Sequence, residues 1–317
     1  MDISVLMTVY NDEKYLNKSI ESILNQSFRG FEFIIINDGS TDSTTDILNY
    51  YSSIDSRIRV FHKTNTGMTK ALNFGLSISQ GKYIARMDSD DISFPKRLEI
   101  EFEFLENNPD IDLIGGAAQI IDDMDNVIGL RNIGVKNPKK TLSHQNIFQH
   151  TDIMFRRSIL KKVIGYREKF RNAQDYDLWL RISDVSEIAK IPDILGQWRL
   201  NAGGYTIARN YEQNTETNVI KKFHQQRLQK GYDDYEQYSP KPPVIHGIKI
   251  DKDRYNYIVG CHMVHSLQQK EGRNKIIPYM IKTKSIHSIL IIIISYFPKS
   301  IIKFLYYLND KIKILFN

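Results

Sequence analysis

The first third of the chain alternates short apolar runs with helical patterns, and this alternation constrains the fold more than any other feature. Four runs are typical of buried strands: Ile3–Val9, Phe31–Asn37, Ile58–His62 and Tyr83–Met87. Because strands that alternate with helices build a parallel sheet covered on both faces, we predict an α/β fold with a doubly wound, mostly parallel sheet. The predicted helices span Tyr15–Gln26, a segment that ends near Tyr51, Met68–Ser79 and Pro95–Asn107.

Three polar segments lie at or directly after the ends of predicted strands. They are Thr8–Asn11, Asp38 and Asp88–Asp91. Ligands of a doubly wound sheet bind outside the carboxyl ends of its strands, so we expect the three segments to share one edge. Asp38 could accept a hydrogen bond from the ring N–H of a uracil base, or it could simply cap the following helix.

The acidic run Asp88-Ser89-Asp90-Asp91 predicts a metal site. Mg²⁺ and Mn²⁺ prefer carboxylate oxygens, usually one or two together with substrate phosphates. No glycine precedes Gly30, so the first strand-to-helix turn cannot cradle phosphates as the glycine-rich loops of dinucleotide-binding proteins and nucleotidyltransferases do. A nucleotide bound here would therefore need a metal as counter-charge. The alternative is a solvated turn that caps the next helix.

Composition narrows the partners and the compartment. The 317 residues suffice for one large α/β domain with a smaller appendage, and the formal net charge of +6 favours an anionic membrane or a phosphorylated substrate over nucleic acid. The single cysteine, Cys261, suits a reducing compartment. We expect no signal peptide, because no basic segment precedes the first apolar run, and no spanning helix, because every apolar stretch is too short.

The C-terminal segment differs from the rest of the chain. Ser288–Pro298 is apolar but short, and lysines then interleave with Ile, Phe, Leu and Tyr to the end. This basic, aromatic-rich pattern is typical of an amphipathic helix that lies on a membrane. A core or dimer-packing helix is the alternative. We predict a membrane-associating tail at about residues 285–317.

Six segments resemble motifs of the family 2 glycosyltransferases with the GT-A fold, in the family's order. They are Ser4–Glu13, Ile34–Asp42, Asn65–Asn73, Gly81–Leu98, His150–Arg157 and Gly165–Arg181. Each motif alone is modestly specific, but six at plausible spacing over residues 3–205 are a strong signal. The resemblance implies a GT-A domain over residues 1–205, with a nucleotide half at about 1–110 and an acceptor half at about 111–205. Residues 206–317 would form a helical C-terminal extension.

The resemblance also implies roles for individual residues. Asp175 is the expected general base, and Asp88 with Asp90 is the expected metal-binding pair, with Asp90 as the expected direct ligand. Asp38 is expected to hold the base and to favour uridine. The other residues expected at the nucleotide sugar are Thr8, Tyr10, Glu13, Asp88 and Ser89. The structural alternatives are strand-end packing for Thr8 and Tyr10, a favourable helix start for Glu13, and an N-cap for Asp175.

Two positions depart from the family's pattern. Gln174 precedes Asp175 where many relatives carry Glu, and a neutral neighbour raises the pKa of Asp175 less than a carboxylate would. Asn201 ends a segment that often ends in histidine in the family, so any contact of that histidine with metal or diphosphate is reduced or reassigned here. His150 could compensate, although a hydrogen-bonded structural histidine is the commoner case. The chain also lacks the Gln-x-x-Arg-Trp motif and the transmembrane helices of processive polysaccharide synthases.

Together these features predict an inverting, metal-dependent hexosyltransferase. A Mn²⁺ or Mg²⁺ ion would stabilise the diphosphate leaving group, and one general base would activate the acceptor hydroxyl for a single displacement. We expect a UDP-sugar donor, a glycan or lipid-linked acceptor in cell-surface polysaccharide synthesis, and a cytoplasmic location on the inner face of the cell membrane. The alternative is a catalytically inactive nucleotide-sugar-binding scaffold of the same fold. Donor sugar, linkage and oligomeric state are left open.

Overall fold

The computed structural model describes residues 1–131, 135–202, 209–240, 252–266, 268–283, 285–298 and 300–301. The strands are β1 (Ile3–Val9), β2 (Phe31–Asn37), β3 (Ile58–His62), β4 (Tyr83–Asp88), β5 (Ile92–Ser93), β6 (Ile111–Ile121), β7 (Val127–Arg131), β8 (Ile153–Arg156) and β9 (Glu187–Arg199). The helices are α1 (Leu16–Leu24), α2 (Thr44–Ile54), α3 (Met68–Ile78), α4 (Arg97–Asn107), α5 (Pro138–Leu142), α6 (Leu160–Val163), α7 (Gln174–Val185), α8 (Asn210–Lys230), α9 (Lys252–His265), α10 (Gln269–Thr283) and α11 (Ile286–Ile294).

The chain divides into two compact units. The first comprises Met1–Ala118, Asn132–Trp198 and Tyr211–Pro242, and the second comprises Gln119–Arg131, Arg199–Asn210 and Pro243–Asn317. Helix α8 contributes Ile220 and Phe223 to the core of the first unit. The domain boundary that we placed at residue 205 stays a prediction.

Four parallel strands form the first part of the sheet, in the order β3-β2-β1-β4. The register pairs Thr8 of β1 with Ile36 of β2 on one side and with Asp88 of β4 on the other. Every residue of β1 and β2 is buried, as parallel strands covered on both faces require. These strands begin and end close to the predicted positions, and the doubly wound α/β fold is confirmed.

Alternate residues of the parallel strands build two separate cores, because successive side chains of a strand point to opposite faces of the sheet. Val5 and Met7 pack in a core that includes residues of α1, α2 and α4. Leu6, between them in sequence, packs in a second core with residues of α3, α7 and α8. Arg86 and Asp88 alternate with Met87 of the first core, so they belong to the α7 side of β4.

The sheet becomes antiparallel beyond β4 and is therefore mixed. Strand β8 pairs antiparallel with both β4 and β6, and β5 pairs antiparallel with β9. The strand order continues as β4-β8-β6-β9-β5, with β7 paired to β6. Only the parallel part carries the alternating strand and helix pattern, so only that part was predictable from the pattern.

The described part of the second unit is mainly helical. Val264, Ile276 and Ile291 bring α9, α10 and α11 together in a small core. The hydroxyl of Tyr255 donates to the carboxylate of Asp123 at 2.8 Å, which ties α9 to the turn between β6 and β7. None of the helices in the described ranges combines the length and the apolar character needed to cross a bilayer.

Gly81, between α3 and β4, lies so close to β1 that the fold requires a residue without a side chain. A Cβ there would lie 2.4 Å from the backbone nitrogen of Ser4, and the Gly81 N–H donates to the Ser4 hydroxyl at 2.8 Å. Backbone cannot yield as a flexible side chain can. We expect Gly81→Ala to lower the free energy of unfolding by about 1–3 kcal/mol, the usual range for overpacking. Urea unfolding measures it.

The matched control is Lys70→Ala, on the exposed surface of α3. Its unfolding midpoint should stay within experimental error of the parent. An unchanged midpoint for Gly81→Ala would mean that β1 and the segment before β4 can separate at little cost, contrary to their close packing.

Candidate active site

The carboxyl ends of β1, β2 and β4 bring three expected site residues together. Thr8 and Asp88 are direct partners in the β1–β4 register, and the N–H of Asp38 donates to the carbonyl of Val9 at 3.0 Å. Thr8 and Asp38 are buried, while Asp88 is partly exposed. The three therefore share one edge of the sheet, as the strand pattern predicts, although their roles toward a ligand stay predictions.

Asp88 is held by a buried arginine that the sequence analysis missed. Nη2 of Arg86 donates to Oδ1 of Asp88 at 2.6 Å, and the Arg86 side chain is fully buried. The backbone N–H of Asp88 donates to Thr151 Oγ1 at 3.2 Å, and its carbonyl accepts the Ser19 hydroxyl at 2.8 Å. Arg86 thus pairs with one of the two oxygens of the Asp88 carboxylate.

The loop after β1 is fastened to the turn after β2. Asn11 has a positive φ of 52°, a conformation that asparagine tolerates better than most residues. Its side-chain oxygen accepts the N–H of Thr41 at 2.7 Å. Gly39 also has a positive φ, 82°, and a Cβ there would lie 2.7 Å from the backbone nitrogen of Asn65. Three loops thus pack closely at this edge.

The carboxylate of Asp38 has a structural role at this edge of the sheet. Its carboxylate accepts the N–H of Thr66 at 2.9 Å and the N–H of Gly67 at 2.8 Å, and it also accepts the Thr66 hydroxyl. A carboxylate has about four acceptor positions. One position therefore remains for the ring N–H of a base, so the geometry is compatible with the expected role of Asp38.

Glu13 and Tyr10 are the expected residues that follow β1 in the chain. Oε2 of Glu13 accepts the N–H of Ser43 at 2.8 Å, immediately before α2. Glu13 thus carries a carboxylate at the start of α2, where the helix dipole favours it. Tyr10 is about half exposed. Their nucleotide-binding roles stay predictions.

The carboxylates of the acidic run are of the type that holds a divalent cation together with substrate phosphates. Ser89 donates to Asp12 Oδ2 at 2.6 Å, which fixes the turn between Asp88 and Asp90. Among the described residues, no group of three or more His, Cys, Asp or Glu side chains is arranged to hold a metal ion. Two carboxylates match Mg²⁺ or Mn²⁺ sites that are completed by substrate phosphates.

Asp175, the second residue of α7, lies near the strand ends although it is far away in sequence. Burial raises the pKa of the Asp175 carboxyl to about 6, and the negative charge of Asp88 also acts to raise it. The side-chain N–H of Asn146 donates to Asp175 Oδ2 at 2.9 Å and lowers the pKa. Desolvation, rather than the neighbour Gln174, therefore dominates the shift. A carboxyl with this pKa is mainly ionised at pH 7 and accepts protons readily.

His150 is a structural histidine in this arrangement. Its Nε2 lies 2.9 Å from the hydroxyl of Tyr166, and its ring packs edge-on against Trp179. Burial, with the charge of Arg86, holds the pKa of His150 well below its usual range, so the ring is neutral at pH 7. A neutral, hydrogen-bonded histidine favours the structural reading of His150. Asn201 lies two residues beyond β9 and is partly exposed.

Comparison with known proteins identifies the family. Residues 4–164 match the family model described as Glycosyl transferase family 2, which is just over half of the 317-residue chain. The chain belongs to glycosyl transferase family 2. The O-antigen biosynthesis glycosyltransferase WbnJ of Escherichia coli is 37% identical over 182 residues, or 57% of this chain and 71% of WbnJ. The chain is thus a glycosyltransferase, as the resemblance of its motifs indicates.

Solved structures confirm the GT-A type of fold. S. aureus TarS 1–349 in complex with UDP matches with a TM-score of 0.53, covering 91% of this chain and 89% of TarS at 17% identity. The mannosyltransferase PcManGT from Pyrobaculum calidifontis, in complex with GDP-Man and Mn²⁺, matches with a TM-score of 0.56, covering 91% of this chain and 77% of its own at 15% identity. At such identities the likeness concerns the fold alone.

The sequence analysis did not identify three residues that hydrogen-bond to Asp88 or Asp175: Arg86, Asn146 and Thr151. The sequence could have indicated the role of Arg86, because a charged residue in an otherwise apolar strand needs a buried partner. Asp88 lies on the same face of β4 and is that partner. No pattern in the sequence indicates the roles of Asn146 and Thr151. Their roles depend on contacts with residues 29 and 63 positions away.

The raised pKa of Asp175 makes a prediction about stability. Between pH 3.8, the ordinary pKa of aspartate, and about 6, the folded chain holds a proton at Asp175 that the unfolded chain has lost. Stability therefore falls as pH rises through this window. Asparagine cannot ionise, so we expect Asp175→Asn to be more stable than the parent at neutral pH. This advantage should shrink toward pH 4. Urea unfolding across this pH range measures it.

The exposed Asp110→Asn is the matched control and should show no such pH-dependent gain. A parent and an Asp175→Asn variant whose stability difference is constant from about pH 4 to pH 8 would contradict the raised pKa.

Proposed function

We propose that this glycosyltransferase is an inverting, metal-dependent enzyme that moves a sugar from a UDP-sugar to a hydroxyl of a glycan or lipid-linked acceptor. The observation that carries the proposal is the placement of Thr8, Asp38 and Asp88 at one edge of the sheet, and the charge of Asp88 acts on the carboxyl of Asp175. The carboxylates of the site have different roles in this proposal. Asp88 and Asp90 serve the donor diphosphate, and Asp175 serves the acceptor.

Asp175 acts as the general base. Its carboxylate takes the proton from the acceptor hydroxyl while the hydroxyl oxygen attacks the anomeric carbon and the bond to the diphosphate breaks. The Asn146 side chain orients the carboxylate through a hydrogen bond to Oδ2, and the backbone N–H of Tyr176 also hydrogen-bonds to this carboxylate. A single displacement without an enzymic nucleophile inverts the anomeric centre.

The donor side relies on Asp88, Ser89 and Asp90. Asp88 and Asp90 would hold the cation, with Asp90 as the direct ligand, and Arg86 fixes the Asp88 carboxylate by its ion pair at Oδ1. When bound, Mn²⁺ or Mg²⁺ neutralises the charge that develops on the diphosphate. Mn²⁺ accompanies GDP-Man in PcManGT, and UDP accompanies TarS, which supports both a metal and a nucleotide diphosphate for this fold.

The base specificity follows from Asp38 and the loops around it. The remaining acceptor position of its carboxylate suits the N–H of uracil, and Thr8, Tyr10 and Glu13 complete the proposed pocket. WbnJ is an O-antigen biosynthesis glycosyltransferase, which supports a cell-surface polysaccharide as the product. A catalytically inactive scaffold of the same fold is the second candidate, because it would keep this pocket without turnover.

Donor hydrolysis tests the proposal. The full chain is incubated with UDP-, GDP- and dTDP-sugars in Mn²⁺, Mg²⁺ or EDTA, and released nucleoside diphosphate is assayed. We expect UDP release from one sugar in the presence of metal and none in EDTA. Asp90→Ala should lose the metal dependence together with the activity. Asp175→Asn should lower the rate by a factor of about 10²–10⁴, the usual contribution of a general base.

Asp46→Asn, in the first turn of α2, is the control and should keep the parental rate. The anomeric configuration of the released sugar, followed by NMR at early times, distinguishes inversion from retention. UDP binding without release from any donor would favour the scaffold. A retained configuration would overturn the role of Asp175 as the only carboxylate acting on the acceptor side.

We further infer that the enzyme docks on an anionic membrane through α11. Six exposed side chains of this helix and the turn after it are apolar and follow helical spacing: Ile286, Ile289, Leu290, Ile293, Tyr296 and Phe297. His287 is exposed as well. Ser288, Ile291 and Ser295, on the opposite side, are buried. A helix with one face packed and the other apolar and exposed fits a membrane interface.

Charge favours an anionic surface. Beyond α11 the sequence carries Lys299, Lys303, Lys311 and Lys313 but only one acidic residue, Asp310. Basic residues near an apolar face add electrostatic attraction to anionic lipids. Most of this predicted tail, residue 299 and residues 302–317, lies outside the described residues, so the inference rests on α11 and on the sequence. The proposed site of action is the inner face of the cell membrane.

Vesicle sedimentation tests the docking face. The full chain should sediment with phosphatidylcholine vesicles that contain phosphatidylglycerol and much less with phosphatidylcholine alone. The double variant Ile289→Ser and Ile293→Ser should bind about thirty-fold more weakly, because two partly exposed isoleucines contribute about 2 kcal/mol on burial.

Ile54→Ser, an exposed isoleucine of the first unit, is the matched control and should bind like the parent. Equal sedimentation of the parent and the α11 variant would show that this face does not contact lipid.

A further inference from the structure

Glu216 of α8 binds the backbone immediately before the helix that carries Asp175. Its carboxylate accepts the N–H of Asn172 at 2.8 Å, the N–H of Ala173 at 3.0 Å and, at both oxygens, the N–H of Arg171 at 3.1 and 3.2 Å. The side-chain N–H of Asn172 also donates to it at 2.8 Å. Three consecutive backbone amides and one side chain thus converge on one buried carboxylate.

This arrangement is an anion nest occupied by the protein's own side chain. Successive N–H groups that point the same way carry partial positive charge, and the N-terminus of α7 adds its dipole. Among the described residues, no Lys, Arg or His side chain forms an ion pair with Glu216, so the amides are its counter-charge. The carboxylate of Glu216 accepts hydrogen bonds and also carries a negative charge. An uncharged side chain in its place could accept hydrogen bonds but would lack the charge.

A second contact from α8 fixes the same segment. Gln213, almost one turn earlier on α8, donates from Nε2 to the carbonyl of Asn172 at 3.0 Å. The peptide before α7 is therefore held at its N–H and its C=O groups by one helix. Helix α8 is itself anchored, because Ile220 and Phe223 lie in the same core as Tyr176 of α7.

The preceding residues are fastened to α3. The carbonyl of Phe170 accepts the Thr69 hydroxyl at 2.9 Å, and the side chain of Asn73 bonds both the N–H and the carbonyl of Tyr166 at 2.8 Å. The segment from Tyr166 to Ala173 is thus fixed at its start by α3 and at its end by α8. The α8 contacts extend to Ala173, two residues before Asp175.

The geometry points to Glu216 as a positioning residue for Asp175. Its carboxylate sets the backbone at 171–173, and this backbone sets where the Asp175 side chain meets Asn146 and the acceptor hydroxyl. Glu216 itself touches no substrate. The inference rests on the proposed role of Asp175 as general base, and it adds a control of that base by a helix outside the 4–164 segment that matches the family.

Glu216→Gln tests the inference, with Glu212→Gln on the same helix as the matched control. A glutamine side chain would offer one acceptor oxygen and turn an NH₂ group toward N–H donors, so the segment should shift. A displacement of about 1 Å at a reacting group costs about 10²-fold in rate. We therefore expect kcat for UDP release to fall by about that factor, with the affinity for UDP unchanged, since UDP binds at the ends of β1, β2 and β4 in the proposed function.

The donors used are UDP-GlcNAc, UDP-glucose and UDP-galactose, with Mn²⁺. A second readout needs no turnover: the NMR titration of the Asp175 carboxyl in the ligand-free full chain. Separation from Asn146, whose hydrogen bond lowers the pKa of Asp175, should move the midpoint upward in Glu216→Gln. Glu216→Asp keeps the charge and should restore part of kcat and of the parental midpoint.

The outcomes separate the two proposals. An unchanged Asp175 midpoint and unchanged kcat in a folded Glu216→Gln would overturn the positioning role. A loss of UDP affinity equal to the loss of kcat would overturn it as well, because it would indicate general damage. No release of UDP by the parent would refute the proposed function instead, and the titration would then decide alone whether Glu216 positions Asp175.

Discussion

The parallel register of β1 between β2 and β4 is the constraint on which the site depends. It places Thr8 beside Asp88 and brings the turn at Asp38 against the end of β1. A slip of one residue in β4 would move Arg86 and Asp88 into the opposite core, since side chains alternate between faces. The buried apolar residues on both faces oppose such a slip. Packing far from the ligand edge therefore determines which side chains reach it.

Buried charges reinforce this register. Arg97, fully buried in α4, donates to the carbonyls of Arg86 at 2.8 Å and of Ile153 at 3.1 Å, and it pairs with Glu101 at 3.1 Å. It thus joins β4 to the start of β8 beneath the acidic run. Burial raises the pKa of Glu101 to about 7 despite Arg97. Because Arg97 donates to carbonyls of both strands, it links β4 and β8 directly.

The sequence predicted the features that depend on local patterns and not those that depend on contacts between distant segments. The parallel strands and the acidic turn are signalled by local patterns, a run of apolar residues and a cluster of carboxylates, so their positions were predictable within one or two residues. The antiparallel strands β6, β8 and β9 depend on pairings between distant segments that no local period marks. Asn146 and Glu216 each act through the hydrogen bonds of one side chain. A single side chain leaves no recognisable pattern in the sequence. Asp175 was predicted from the resemblance of its motif to the family. The hydrophobic periodicity of the sequence does not indicate which residues surround Asp175.

The two halves of the proposed reaction are consequently supported in different ways. The donor residues all lie within the first 90 positions, on loops that follow neighbouring strands and are fixed by the sheet. The proposed base lies on α7, whose start is held by α8 through Glu216 and Gln213, about 40 residues later in the chain. A change in α8 therefore acts on the base while the strand ends at Thr8, Asp38 and Asp88 keep their register. The contacts of α8 thus support the acceptor side alone, whereas α3 contacts the donor side at Asp38 and the acceptor side at Tyr166.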